Sequence, residues 1–165
     1  MFARRLSLLL LSSLALSLSA CGFTPMYGAN SAARGLENIS VETGEERIDF
    51  LLQEALLDTL GARGAGGSYV LRTETELSTV GLGIGADAIA SRFAVQLRVN
   101  YSLYRPGVSE AVFSGRVSTE ASYNASNAVY ASQSAQSNAE ERAASDAADR
   151  IAMQLARAAR NGELW

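Results

Sequence analysis

Between residues 69 and 120 the chain alternates between apolar and polar positions. Tyr69, Leu71, Thr73, Thr75 and Leu77 interleave with Val70, Arg72, Glu74 and Glu76. Phe93, Val95, Leu97, Val99, Tyr101 and Leu103 interleave with Ala94, Gln96, Arg98, Asn100 and Ser102. Phe113, Gly115, Val117 and Thr119 interleave with Ser114, Arg116, Ser118 and Glu120. Successive side chains of a strand point to opposite faces, so a period of two predicts antiparallel strands with one face buried and one wet. Arg105-Pro106-Gly107 supplies a turn between the second and third. A shorter alternation, Ile39 and Val41 within Leu36 to Val41, predicts a strand ahead of these three.

Two segments change the period. Ile48, Leu51, Leu52, Ala55, Leu56 and Leu60 fall at i, i+3, i+4 and i+7 spacings, one apolar stripe of a helix. Thr43-Gly44-Glu45-Glu46 fits a capping box ahead of it, and Gly61 and Gly64 stop it. The Ser-, Asn- and Ala-rich stretch from Tyr123 to Ser137 reads as a loop or frayed lead-in. A second helix is expected from Asn138, with Glu140 and Glu141 in its first turn and an inner stripe of Ala144, Ala148, Ile151, Leu155 and Ala158. Arg157 and Arg160 suit the negative end of its dipole, and Asn161-Gly162 closes it. The order β-α-β-β-β-α predicts an α/β (α+β) two-layer sandwich: a four-stranded, mostly antiparallel sheet with two helices on one face.

The N-terminus has another character. Arg4 and Arg5 precede an apolar run from Leu6 to Leu18, the form of a secretory signal peptide. The run is shorter than the ~20 apolar residues of a membrane span. Leu18-Ser19-Ala20-Cys21 resembles a bacterial lipobox, in which small residues admit the peptidase and the cysteine thiol accepts a diacylglyceryl group. An ordinary signal peptide with a chance cysteine is the alternative; the chain's sole cysteine falls where the lipobox requires it. The expected organisation is a signal peptide at 1–20, a lipidated tether rich in Gly, Ala, Ser, Pro and Asn at 21–35, one domain at 36–161 and a tail at 162–165.

Charge and chemistry then narrow the function. The signal peptide takes two of the 14 basic residues and none of the 17 acidic ones, so the mature part carries net −5. That argues against a nucleic-acid partner, whose binders present a basic face. With no His, and with Cys21 assigned to the anchor, neither an imidazole base or ligand nor a thiolate nucleophile is on offer. No cofactor or metal is expected and an enzyme is the least favoured class. Gly81-Leu82-Gly83-Ile84-Gly85-Ala86 matches G-x-G-x-x-G/A, but it leads into a strand rather than a helix, and no acid stands about 20 residues on. It reads as the loop of a long hairpin, with Leu82, Ile84 and Ile89 giving it an apolar contact surface.

The predicted mature chain opens Cys21-Gly22-Phe23-Thr24-Pro25-Met26-Tyr27-Gly28. This opening, the leader before it and the element order after it resemble the alphaproteobacterial lipoproteins of the LptE family. The resemblance implies a non-catalytic lipoprotein on the periplasmic side of the outer membrane. It would plug the β-barrel LptD one-to-one, help it assemble, and serve insertion of lipopolysaccharide (LPS) into the outer leaflet. Lys-based LPS contacts cannot carry over, since all the basic residues are Arg. Arg72, Arg98 and Arg116 on the wet face either meet acidic sugars and phosphates or pair with Glu74, Glu76 and Glu120 across strands. The other functional class open to this sequence is a periplasmic carrier for a small amphiphile, which would need an apolar pocket between helices and sheet.

Overall fold

The structure, a computed structural model, describes residues 32–62, 66–82 and 92–164. A 3₁₀ helix, Ala32–Asn38, opens the domain inside the stretch read as tether and buries Leu36. Then follow β1 (Ile39–Glu42), α1 (Arg47–Leu60), β2 (Tyr69–Gly81), β3 (Arg92–Tyr104), β4 (Ala111–Asn124) and α2 (Val129–Arg160). The expected two-layer α+β sandwich is present. The sheet order is β1-β2-β3-β4, parallel between β1 and β2 and antiparallel for the other two pairs.

The β1–α1–β2 crossover makes the first pair parallel. The chain passes so close to itself there that a Cβ on Gly67 would stand 2.6 Å from Ser40 N, which reserves that position for glycine. Helix α1 buries Ile48, Leu52, Leu56 and Leu60 and ends at Gly61 in the left-handed region, φ 63°. Its cap lies three residues beyond the expected one. Glu46 occupies the N-cap, and Asp49 Oδ2 accepts from Glu46 N at 3.0 Å. Thr43 Oγ1 is turned to the carbonyl of Gly44 instead.

Helix α2 begins at Val129, nine residues before the expected start. Its first turns, which open on the exposed Val129 and Tyr130 and go on in Ser, Gln and Ala, carry no apolar stripe to signal a helix. They extend it because propagation from a packed segment is cheap once the nucleus exists. Glu140 and Glu141 therefore lie well inside the helix and not in its first turn. Glu140 is buried and pairs with Arg47 at the start of α1, tying the helices together. The alanines at 139, 143, 144, 147, 148 and 152 let α2 lie close on the sheet, with Ile151 and Leu155 filling the gaps.

The core is the sandwich filling: Leu71 from β2, alternate residues Val95 to Leu103 from β3, Val117 and Ala121 from β4, and the helix stripes. Phe113 packs only at its margin. Tyr101 lies across Gly115 on the neighbouring strand, where any Cβ would strike the ring, and donates its hydroxyl to Gln154 Oε1 on α2. Burial pushes the Tyr101 pKa up to about 12. Thr119 Oγ1 donates to the carbonyl of Ala143 at 2.8 Å, satisfying a hydroxyl inside the core. Leu164, beyond the last helix, is fully buried, and its carbonyl accepts from Tyr69 Oη at 3.2 Å.

Candidate functional site: the uncovered sheet face

Both helices sit on the face lined by the odd-numbered residues of β2, β3 and β4. The opposite face is uncovered among the described residues, and it holds the three arginines singled out from the sequence. The register decides their partners: Arg98 takes an expected carboxylate, and Arg72 and Arg116 do not. Arg98 Nη1 pairs with Glu76 Oε2 at 2.5 Å, directly across β2–β3. Arg72 reaches not Glu74 but Glu42 on the parallel strand, Nε to Oε2 at 2.8 Å, with its guanidinium 5.0 Å from the Tyr104 ring centroid. The hydrogen bond to Glu42 and that carboxylate's charge hold the Arg72 pKa above its ordinary value.

Arg116 donates to the neutral Asn100 Oδ1 at 2.6 Å rather than to Glu120, which accepts from Gln96 Nε2 at 2.9 Å. Ser102 and Ser114 exchange a hydroxyl bond at 3.0 Å. The face is thus a nearly charge-balanced lattice of hydroxyl, amide and ion-pair groups. Exposed pairs of this kind add little stability. A shallow depression of about 470 Å³ lies along it, with Glu76, Ser78, Gln96, Arg98 and Glu120 among its lining.

At one end β2 and β3 project as a hairpin. Leu77, Val80 and Leu82 are exposed towards its described end by 37%, 36% and 37%. Ile84 and the rest of 83–91 lie outside the described residues, as do Cys21 and the signal segment. Phe93 and Tyr123 stack near the tip with ring centroids 5.6 Å apart. The chain enters the domain at the opposite end, where the 3₁₀ helix leads into β1 beside Tyr69. Thirteen residues of β2 separate the two ends, about 40 Å at strand rise. Among the described residues no cluster of His, Cys, Asp and Glu is fit to hold a metal, and no helix is long and apolar enough to cross a membrane.

The fold is shared with several bacterial lipoproteins. A lipoprotein from Caulobacter crescentus is 29% identical over 79% of this chain and 96% of its own, with a TM-score of 0.69. The rare lipoprotein B of Shewanella oneidensis (19% identity, 76% and 98% coverage, TM-score 0.57) shares the fold. So does a minor lipoprotein of Acinetobacter baumannii (18%, 72% and 90%, 0.59). No curated protein matches the chain. The family model described as LptE, lipopolysaccharide-assembly, matches residues 36–155, and the chain belongs to that family.

Proposed function

We propose that this chain is lipidated on Cys21 and held at the periplasmic side of the outer membrane. There it seats its uncovered sheet face and hairpin in the lumen of the LptD barrel and takes part in LPS insertion and barrel assembly, without catalysis of its own. The observation that carries this reading is the division of the sheet. One face is sealed by two helices, while the other, some 40 Å long by strand rise, presents compensated polar groups. A barrel lumen is polar and wet, and it suits a face whose charges are ion-paired, as Arg72 and Arg98 are, or hydrogen-bonded to amides, as Arg116 and Glu120 are.

Within that arrangement the arginines differ. Arg72 and Arg98 are held by carboxylates, whereas Arg116 meets only a neutral amide, so its charge is the one best placed for an acidic sugar or phosphate of LPS. Leu82 and, further along the sequence, Ile84 are the apolar residues proposed to meet the barrel wall or the lipid path. A carrier for a small amphiphile has less support, because the alanine stripe of α2 brings helix and sheet together where a ligand cavity would have to be.

Each covalent lipid chain contributes about 0.8 kcal/mol per buried CH₂, enough with several chains for stable anchoring. Full-length protein extracted in mild detergent is expected to bring down a large outer-membrane barrel in equal amount and to incorporate a palmitate analogue. Cys21→Ser should lose the label. Extraction of the wild type without any barrel would overturn the plug reading, and an unlabelled wild type would overturn the anchor.

A further inference from the structure

The three exposed borders of the sheet are treated differently. At β4, Arg142 Nη2 and Arg150 Nη1 of α2 reach over the border and donate to the outward carbonyls of Ser122 and Ser118 at 2.9 and 3.0 Å. This closes that edge to a further strand. At the other side β1 is only four residues long and covers β2 from Tyr69 to Arg72. Next along, Asp49 Oδ1 accepts from Thr75 Oγ1 at 2.7 Å and holds the start of α1 over that position. From Leu77 to Gly81 nothing among the described residues pairs with the outer edge of β2.

The orientation of that edge follows from two bonds. Leu82 N donates to Arg92 O at 2.7 Å, so the even-numbered residues of β2 face β3. Tyr69 O accepts from Ser40 Oγ on the side of β1, and the pairing with β3 runs unshifted from Val70 to Gly81. Leu77, Thr79 and Gly81 therefore aim their N–H and C=O groups outward. Natural sheet edges are usually blunted with charge, proline or a bulge. Here Leu77 to Leu82 reads Leu-Ser-Thr-Val-Gly-Leu, with none of these. Leu77 and Val80 flank the edge on its two faces. Phe50, 58% exposed, lies one turn before Gln53, whose amide donates to Val41 O, so it stands on the side of α1 nearest this border.

We propose that the outer edge of β2 at Leu77–Gly81 accepts an extended, uncharged strand of the outer-membrane partner protein by β-augmentation. The inference rests on the barrel-partner reading above. Main-chain bonds to Leu77, Thr79 and Gly81 supply affinity, and apolar side chains settling on Leu77 and Val80 select the sequence. A second copy of this chain is a poor occupant, because two five-residue edges fall well short of the ~1,200 Å² that a stable interface buries. A strand from a partner already held by the adjoining sheet face needs no such area, since its docking is effectively intramolecular.

Thr79→Pro removes an outward N–H and leaves the β2–β3 ladder whole, whereas Thr79→Val keeps the N–H. Full-length wild type, T79P and T79V are compared for barrel recovered from detergent extracts, with melting curves of each. Amide exchange of Leu77, Thr79 and Gly81 is measured in the wild-type complex and in the free protein. T79P is expected to recover about fivefold less barrel, the equivalent of one lost hydrogen bond, with T79V unchanged and the three amides slowed about tenfold in the complex. Should T79P melt early, the amide protection decides alone. Equal recovery by T79P with unprotected amides overturns the inference and leaves the barrel reading standing. No barrel with the wild type overturns both. A wild-type dimer in sedimentation that T79P abolishes overturns it in favour of a second copy.

Discussion

Leu77 and Leu97 stand opposite each other in the β2–β3 ladder, on the same face of the sheet, yet Leu97 is 1% exposed and Leu77 37%. The difference lies in the layer above. Helix α2, 32 residues long and buried from Ala139 onward, runs back over β3 and β4, while α1 is 14 residues long and covers only the first part of β2. One strand thus has two environments: from Tyr69 to Thr75 its inner side chains lie under the helix layer, and from Glu76 to Gly81 the strand is exposed. Alternation in a sequence says which side a residue faces, but not whether anything lies there.

The largest effect that probes this contrast comes from truncating the two leucines. Leu97→Ala should cost about 2–5 kcal/mol, the usual range for a filled core site. Leu77→Ala should cost well under 1 kcal/mol, as a partly exposed site that no helix packs against. Chemical denaturation of the two variants measures both. Equal losses would mean that the end of β2 is as much core as the middle of β3.

Next comes the tyrosine beneath α2. The folded-state pKa of Tyr101, about 12, lies above the ordinary value of 10. Its neutral form therefore contributes its full stabilisation below pH 10, and that contribution is lost as pH rises from 10 towards 12. The loss should approach 2–3 kcal/mol. Tyr101→Phe should flatten the alkaline limb of the stability curve, and a limb as steep as that of wild type would place the source elsewhere. The smallest effect belongs to the uncovered face. Arg98→Ala breaks the pair with Glu76 where both side chains are more than half exposed, so melting should shift by the equivalent of under 1 kcal/mol.

Much of this was legible in the sequence, for reasons that also mark where legibility ended. The β3 alternation is clean because a helix layer lies on one side and solvent on the other, and α1 shows its stripe because it touches the sheet along one line. The partners of the three arginines depend on register and on the parallel placement of β1. Neither leaves a local trace, so Glu42 and Asn100 were missed in favour of Glu74 and Glu120. The first nine residues of α2 lack a stripe because they overhang the domain. The guarding of β4 by Arg142 and Arg150 escaped as well: an eight-residue spacing on a polar helix face signals nothing until the carbonyls of Ser118 and Ser122 are found beneath it.

If the uncovered sheet face is the working surface, a bulky residue on it should cost barrel binding and not stability. Ser102 lies on that face, on β3 towards the end beside β1, and its hydroxyl bonds that of the surface residue Ser114. Placing a bulky side chain there leaves the core untouched and spoils any close fit. Barrel recovered per lipoprotein by Ser102→Trp, measured beside its melting temperature, is therefore the decisive reading. Near-wild-type melting with most of the barrel lost is the expected result. Wild-type melting with undiminished barrel would contradict it.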